Sequence, residues 1–395
     1  MEGLATDTAI CAIGREEELH WLALTLIPGL GTRMAGKLLD RFRTPQAVFR
    51  ASRSELVAAG LGGAVAQSVS SGCSFDDALD QQRKMGEHGA VAIVRSDPRY
   101  PALLREIFDP PVLLFARGRL ELLQPFHFAI VGTRRPTTYG LAAAERLSAD
   151  LARAGLTIVS GMARGIDTTA HKGALSSGGD TVAVLGCGVD VIYPSENRKL
   201  AADLSTKGLV LSEFAMGSTA FPQNFPIRNR IISGMSAGVL VVEGAQYSGS
   251  AITAKLALDQ GREVFAVPGN ITSTASWGPN LLIKQGAKLV QDWNDVIVEL
   301  PAEVRRQLIE RGRTRLLGNA AASQDGGRAS QTQGSLPEVG RRLLAVLKLD
   351  TAIHLDDLLQ ILEDSSPSEL IAALFELEML GLIKQLPGKN FVKVW

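Results

Sequence analysis

Cysteine is scarce in this chain: Cys11, Cys73 and Cys187 are the only three in 395 residues. Their spacing fits neither a disulfide framework nor a metal knuckle, and points to a reducing compartment. Excess charge is also missing. Lys plus Arg total 41, as do Asp plus Glu. Any nucleic-acid contact must therefore come from a local basic pocket and not from bulk charge. No uninterrupted apolar run is long enough to span a bilayer. The opening Met1-Glu2-Gly3-Leu4-Ala5-Thr6-Asp7 lacks the basic segment of a secretory signal, so a cytoplasmic protein is expected. There is no Gly-x-x-x-x-Gly-Lys-Ser/Thr loop of an ATP-hydrolysing site. Gly186-Cys187-Gly188 follows a strand pattern, but Val191 stands where the third glycine of a dinucleotide fingerprint belongs. No metal-ligand constellation appears, and His171 has no nucleophile in sequence to pair with. No catalytic residue, metal or cofactor is expected.

What is present is ordinary globular material, 46% hydrophobic and 21% charged, in a length that suits two or three domains. One stretch organises it. Phe128-Ala129-Ile130-Val131 is a short apolar run of the kind buried on both faces of a sheet. It stops at Gly132-Thr133-Arg134-Arg135-Pro136. A helical spacing then runs from Thr137 through Leu141, Ala144, Leu147 and Leu151. Strand, glycine turn and helix together make an anion seat, and Arg134 adds a guanidinium able to grip a phosphate bidentately.

In chain order, residues 1–16 read as a tail and 17–75 as a helical domain. That domain has two glycine hairpins, Ile27-Pro28-Gly29-Leu30-Gly31-Thr32-Arg33 and Ala59-Gly60-Leu61-Gly62-Gly63. They resemble helix-hairpin-helix and SAM-like modules, which either hold a DNA phosphate or serve structure and protein contacts. Residues 76–310 hold a lead-in bridge and then alternating strands and helices from Phe126 to Leu300. This predicts an extended Rossmann-like, doubly wound parallel α/β sheet with ligands at the carboxyl ends of its strands. Residues 311–337 read as a linker rich in Gly, Ser, Gln, Ala and Asn, with Arg311, Arg313 and Arg315 at its start. Residues 338–395 suggest three helices and a hairpin, a winged helix. Its third helix carries Glu369, Glu376 and Glu378 and would repel phosphate, so a protein-contacting or structural role is expected there.

Four loops should converge at the sheet's carboxyl edge. The first is Gly132-Thr133-Arg134. The second is Ser160-Gly161-Met162-Ala163-Arg164-Gly165, where the glycines admit close approach of a ligand, Asp167 suits an N-cap and His171 suits a structural role. In the third, Phe221 to Arg230, Pro226 fits a helix start. That start would put Arg228, Asn229 and Arg230 in the first turn, where a bound anion would offset their unfavourable meeting with the dipole. Phe221 and Phe225 could stack on bases, with packing the alternative for at least one. The fourth is Tyr247-Ser248-Gly249-Ser250 with Thr253, an anion seat or, for Ser250, a plain N-cap.

These motifs, with Tyr193-Pro194 and Phe225-Pro226-x-Arg228-Asn229-Arg230-Ile231-Ile232, stand in the order of the DNA-processing protein family DprA, also called Smf, which the chain resembles from about Pro101 to Leu300. Thr133 replaces a frequent Ser. Ser195 replaces a Lys that contacts DNA in some members, with Arg198 or Lys199 available to substitute. The resemblance implies a homodimer that binds single-stranded DNA, protects it and loads RecA recombinase during natural transformation, with no catalysis. It implies a DNA-binding set of Gly132, Thr133, Arg134, Ser160, Gly161, Gly165, Phe225, Arg228, Asn229, Arg230, Ser248, Gly249, Ser250 and Thr253. The sheet also resembles LOG-type nucleoside-monophosphate phosphoribohydrolases, but Glu243 to Ser250 lacks their Pro-Gly-Gly-x-Gly-Thr run and catalytic Glu.

Overall fold

Nine strands make the central sheet: β1 (Val91–Val94), β2 (Leu113–Gly118), β3 (His127–Val131), β4 (Thr157–Ser160), β5 (Thr181–Leu185), β6 (Leu209–Ser212), β7 (Gly238–Val241), β8 (Glu263–Ala266) and β9 (Lys288–Leu289). They lie in the order β1-β2-β6-β5-β4-β3-β7-β8-β9. This computed structural model describes residues 14–124, 126–246, 248–308, 338–348, 352–362, 366–379, 382–386 and 388–393. The expected linker at 311–337 and residues 1–13 of the expected tail lie outside them. The chain divides into two compact units, Met1–Leu308 and Ile309–Trp395.

The sheet is parallel from β6 to β9, as the alternation of strand and helix predicts. The lead-in bridge differs from a plain connection. Its two strands extend the sheet antiparallel, β1 on β2 and β2 on β6. Between β1 and β2 the chain forms only one short helix, α7 (Ala102–Arg105), and not the longer helix that a parallel crossover usually carries.

Period-two alternation sorts the strands' side chains onto two faces. Ala92, Val94, Phe115, Ala183, Leu185 and Val210 join one core. Ile93, Leu114, Ala116, Val182, Val184 and Leu211 join the other. The first face is covered by the N-terminal helices α1 (Arg15–Thr25), α2 (Thr32–Phe42), α3 (Pro45–Arg50), α4 (Arg53–Ala58), α5 (Gly63–Ser71) and α6 (Phe75–His88). Trp21, Leu22, Leu38, Leu56 and Val69 of these helices share a core with the sheet. Helices α8 (Thr138–Arg153), α9 (Ile166–Ser176) and α10 (Arg198–Lys207) follow β3, β4 and β5. Helices α11 (Asn224–Gly234) and α12 (Gly249–Asp259) pack on the other face through Ile231, Ile232, Ala254 and Ala257. Then come α13 (Trp277–Lys284) and α14 (Trp293–Ile297).

Two side chains of the helical bundle, Thr32 and Gln81, bond to the loop after β6. The Thr32 hydroxyl donates to Glu213 Oε1 at 2.7 Å, and the Met216 amide donates to Gln81 Oε1 at 2.7 Å. The second unit holds α15 (Glu338–Val346), β10 (Ile353–His354), α16 (Leu355–Ile361), α17 (Pro367–Met379), β11 (Ile383–Leu386) and β12 (Asn390–Lys393). The expected three helices and hairpin are present. A short strand not expected from sequence, β10, pairs with β12 to make a three-stranded sheet. Leu343, Leu358, Leu370, Leu374, Ile383 and Phe391 fill its core. On α17, Glu369 closes a capping box with Ser366 and Glu378 accepts from the Gln385 amide at 3.1 Å. The Glu376 side chain lies outside the described residues.

Phe128, fully buried on β3, meets Phe265 of β8 edge to face with ring centroids 5.4 Å apart. Phe128→Ala is expected to cost about 3–5 kcal/mol, read as a lowered urea midpoint of the sheet-containing unit.

Candidate nucleic-acid interface

Strand order reverses between β3 and β7. In an open α/β sheet the crevice at such a switch point is where ligands sit. Here the crevice is closed from within. Glu243, in the turn after β7, is 1% exposed. Its carboxylate accepts from the Thr137 amide at 2.9 Å and from the Thr137 hydroxyl at 2.6 Å. Thr137 is the N-cap of α8, its Oγ1 accepting from the Gly140 amide at 3.1 Å. The Glu243 carbonyl also takes the Thr133 amide at 2.7 Å. The positive end of α8, expected as an anion seat, is thus occupied by an internal carboxylate, and the Thr133 amide is already engaged. Thr133 Oγ1 accepts from the Arg135 amide at 3.2 Å.

Beside this turn lies the loop after β4. A Cβ on Gly132 would come within 2.6 Å of Ile166, and one on Gly165 would collide with the Thr133 carbonyl. Gly165 also has φ +77°, so glycine is required there twice over. The two loops are stitched by the Ile166 amide on the Thr133 carbonyl at 3.2 Å. Ser160 is buried, its hydroxyl donating to the Ile130 carbonyl at 2.7 Å. Asp167 is not the N-cap expected of it. Gly165 holds that position, and the Asp167 carboxylate turns back to accept from the amides of Gly161 and Ala163 at 3.2 and 3.4 Å. Burial pushes its carboxyl up, against the pull of Arg228, those amides and Arg134.

Helix α11 begins at Asn224, two residues before Pro226. Arg228, Asn229 and Arg230 are therefore its fifth to seventh residues and lie past the first turn, where the dipole argument no longer applies. Arg228 is buried, and its Nη1 donates to the carbonyls of Gly161, at 2.7 Å, and Val184. Burial pushes this guanidinium down to about 10. Arg230 is also buried, bound to Glu213 at 2.5 Å and Asp109 at 3.3 Å. Asn229 Nδ2 donates to the Gly249 carbonyl at 3.5 Å. The N-cap of α12 is Ser248 and not Ser250. Ser248 and Ser250 hydroxyls bond each other at 2.8 Å, and Thr253, in the second turn, donates to the Gly249 carbonyl at 3.1 Å. Tyr247 lies outside the described residues.

All four loops meet at one edge, but their side chains divide into two groups. Ser160, Arg228, Arg230, Ser250 and Thr253 are buried and bonded within the protein. The open part is narrower. Arg134 is exposed, its guanidinium 5.2 Å from the ring centre of half-buried Phe225. Arg228 approaches the same ring at 5.8 Å, and the exposed Tyr193 lies 5.5 Å from it, tilted 39°. Arg135, Arg198 and Lys199 are exposed as well, whereas Arg164 pairs with Glu196 at 2.5 Å. A guanidinium over flat rings offers a phosphate contact and stacking faces together. His171 is fully buried, Nδ1 bonded to Thr181 Oγ1 at 2.7 Å. Two side chains escaped the reading by sequence: Glu243 and the Tyr193 ring as a neighbour of Phe225.

Fold and rim together define a Rossmann-like α/β protein whose carboxyl edge carries a cation–aromatic surface, followed in the chain by a winged-helix domain. Residues 91–301 match the family model described as DNA recombination-mediator protein A, and residues 327–389 that of the DprA winged helix domain. The chain is 33% identical to Protein Smf of Synechocystis sp. over 402 residues, covering 96% of this chain and 99% of that one. It is 45% identical to DNA processing protein DprA of Bacillus subtilis over 216 residues, 54% of this chain and 73% of that one. The X-ray structure of DprA from Streptococcus pneumoniae superposes with a TM-score of 0.63 at 36% identity, covering 72% of this chain and 98% of that one. The chain belongs to the DprA/Smf family of DNA recombination-mediator proteins. No described helix is long and apolar enough to cross a membrane.

Two buried histidines give the fold an acid limit. Burial pushes His171 down to about 3 and His127 down to about 4. Both are neutral in the folded chain, while the unfolded chain protonates them below pH 6.5. Their stabilisation is therefore complete above about pH 6.5 and is lost as pH falls toward 4, by about 1 kcal/mol per pH unit for each. His171→Gln should flatten the fall of the urea midpoint between pH 6.5 and 4.5 relative to the parent chain.

Proposed function

We propose that the chain binds single-stranded DNA, without sequence preference, along this carboxyl rim, and that it acts as a binding protein and not as an enzyme. The observation that carries the reading is the exposed Arg134 guanidinium held over the Phe225 ring, with Tyr193 beside it. A sugar–phosphate backbone would be gripped by Arg134, and bases would stack on the rings in a way indifferent to their identity. Arg228 shapes this surface from below, since it holds the Gly161 and Val184 carbonyls while lying near the same ring.

Family membership supports the wider role: protecting incoming strands and loading RecA recombinase onto them during natural transformation, as a cytoplasmic homodimer. The recombination-mediator description of the matching family favours this placement in DNA handling. Against catalysis stand the states of the ionisable groups on α9 and in the turn after β7. His171 is buried and neutral, Asp167 is engaged by backbone amides, and Glu243 is bound to Thr137. Release of free base from a nucleoside monophosphate would overturn this and favour the phosphoribohydrolase alternative.

Binding to single-stranded and double-stranded oligonucleotides across a salt series tests the proposal. Single strands should be preferred. The log–log salt slope should fall by about 0.7 when Arg134 is replaced by Ala, with affinity lowered alike for every sequence. Phe225→Ala should weaken binding by about 1–3 kcal/mol with little change of slope. An Arg134→Ala protein with unaltered affinity and slope would refute the assignment of the rim.

A further inference from the structure

The switch-point crevice between β3 and β7 contains the parts of a phosphate seat, and the Glu243 carboxylate already sits in it. The glycine turn after β3 leads into a sixteen-residue helix, α8, whose N-terminus faces the turn after β7. In sheets of this topology that spot takes the phosphate of a nucleotide. Here the Glu243 carboxylate sits there, accepting from the N-cap residue's own amide and hydroxyl. The fit is tight on the opposite side too. A Cβ on Gly140 would collide with the Glu243 carboxylate, so helix and acid are packed face to face. The main chain around Glu243 is fixed as well: its carbonyl takes the Thr133 amide, and the next residue's amide donates to Ala275 at 2.7 Å.

We propose that Glu243 is a built-in anion that stands in for phosphate, satisfying the positive end of α8 and closing the crevice to phosphate monoesters such as nucleoside monophosphates. The consequence is specificity. A ligand's phosphates can then be met only farther out on the rim, by side chains such as Arg134. A terminal phosphate group that enters end-on finds its seat taken, whereas a backbone phosphate running across the rim does not need that seat. Glu243 is in this sense a specificity-determining residue that never touches the ligand. The inference does not depend on the rim's binding single strands, because it concerns a seat distinct from Arg134.

Removing the acid should uncover the seat. The experiment uses the full chain carrying Arg134→Ala, which removes the exposed guanidinium as a competing site, with Glu243 intact or changed to Ser, Ala or Gln. Thermal unfolding is followed against inorganic phosphate, with sodium chloride at matched ionic strength as the control. Glu243→Ser and Glu243→Ala should unfold at lower temperature than the parent. Each should be restabilised by phosphate alone, by about 2 °C at several times the dissociation constant and then with the logarithm of phosphate concentration. Glu243→Gln keeps the space filled and should show no such rescue, nor should the parent. If Glu243→Ala accumulates unfolded, refolding yield in phosphate against chloride gives the same readout, and Glu243→Ser, which keeps a polar side chain at the position, provides a second variant. A parent that is stabilised by phosphate as much as the Ser variant would overturn the proposal. So would Ser and Ala variants indifferent to phosphate in both stability and refolding yield. Loss of oligonucleotide binding with Arg134→Ala is read separately and bears only on the rim.

Discussion

The rim depends on one buried guanidinium. Arg228 reaches from the second turn of α11 to carbonyls at the ends of two adjacent strands, Gly161 after β4 and Val184 in β5. Carbonyls at the carboxyl edge have no further strand to pair with, and a buried unpaired carbonyl costs about 1–3 kcal/mol. Arg228 supplies the missing donors from a charge that is itself expensive to bury, which is why its guanidinium is pushed down to about 10. The arrangement is possible only because position 161 is glycine: a Cβ there would strike the guanidinium. It also explains why Asp167 lies close by. A buried carboxylate within reach of Arg228 compensates its charge and at the same time binds the amides of the loop that Arg228 holds by its carbonyl.

From this follows a division of labour among the arginines of the third loop's motif that residue type alone does not reveal. Arg228 braces strand ends. Arg230, two residues on, is turned to Glu213 and Asp109, and Glu213 in turn accepts from Thr32 at the start of α2. That chain of contacts joins the N-terminal helices, the loop before β2 and the loop after β6. Neither guanidinium is presented to solvent. The exposed positive charge near Phe225 comes from Arg134, on a different loop.

Much of the fold is legible in the sequence. The apolar run Phe128–Val131 marks β3 (His127–Val131) within a residue, because the middle of a strand covered on both faces is continuously apolar. The convergence of four loops follows from that topology. The local details that were misread share a cause. Proline's preference for the first helical position suggested a start at Pro226. In the structure Pro226 is third, where its missing N–H is still among the donors that have no partner within the helix. Asp167 suits a cap, and Ser250 allows one as the alternative to an anion seat, because their side chains can cap, but Gly165 and Ser248 occupy those positions. The pairing of Glu243 with Thr137 could not be read at all, since 106 residues separate them and neither belongs to a recognisable spacing.

The two halves of the crevice's chemistry then make a coherent electrostatic design. A helix N-terminus at a sheet edge is favourably met by something negative or polar. If nothing inside the protein met it, the strongest anion in solution would, and the deepest seat at the rim would go to small phosphates. With Glu243 in place the deep seat is neutralised, and the basic groups left open are the shallow ones, Arg134 and Arg135 at the lip of the turn. Depth selects against end groups, while a shallow cationic edge flanked by rings suits a chain that passes over it. A protein with zero net charge can in this way favour a polyanion by where its exposed cations lie.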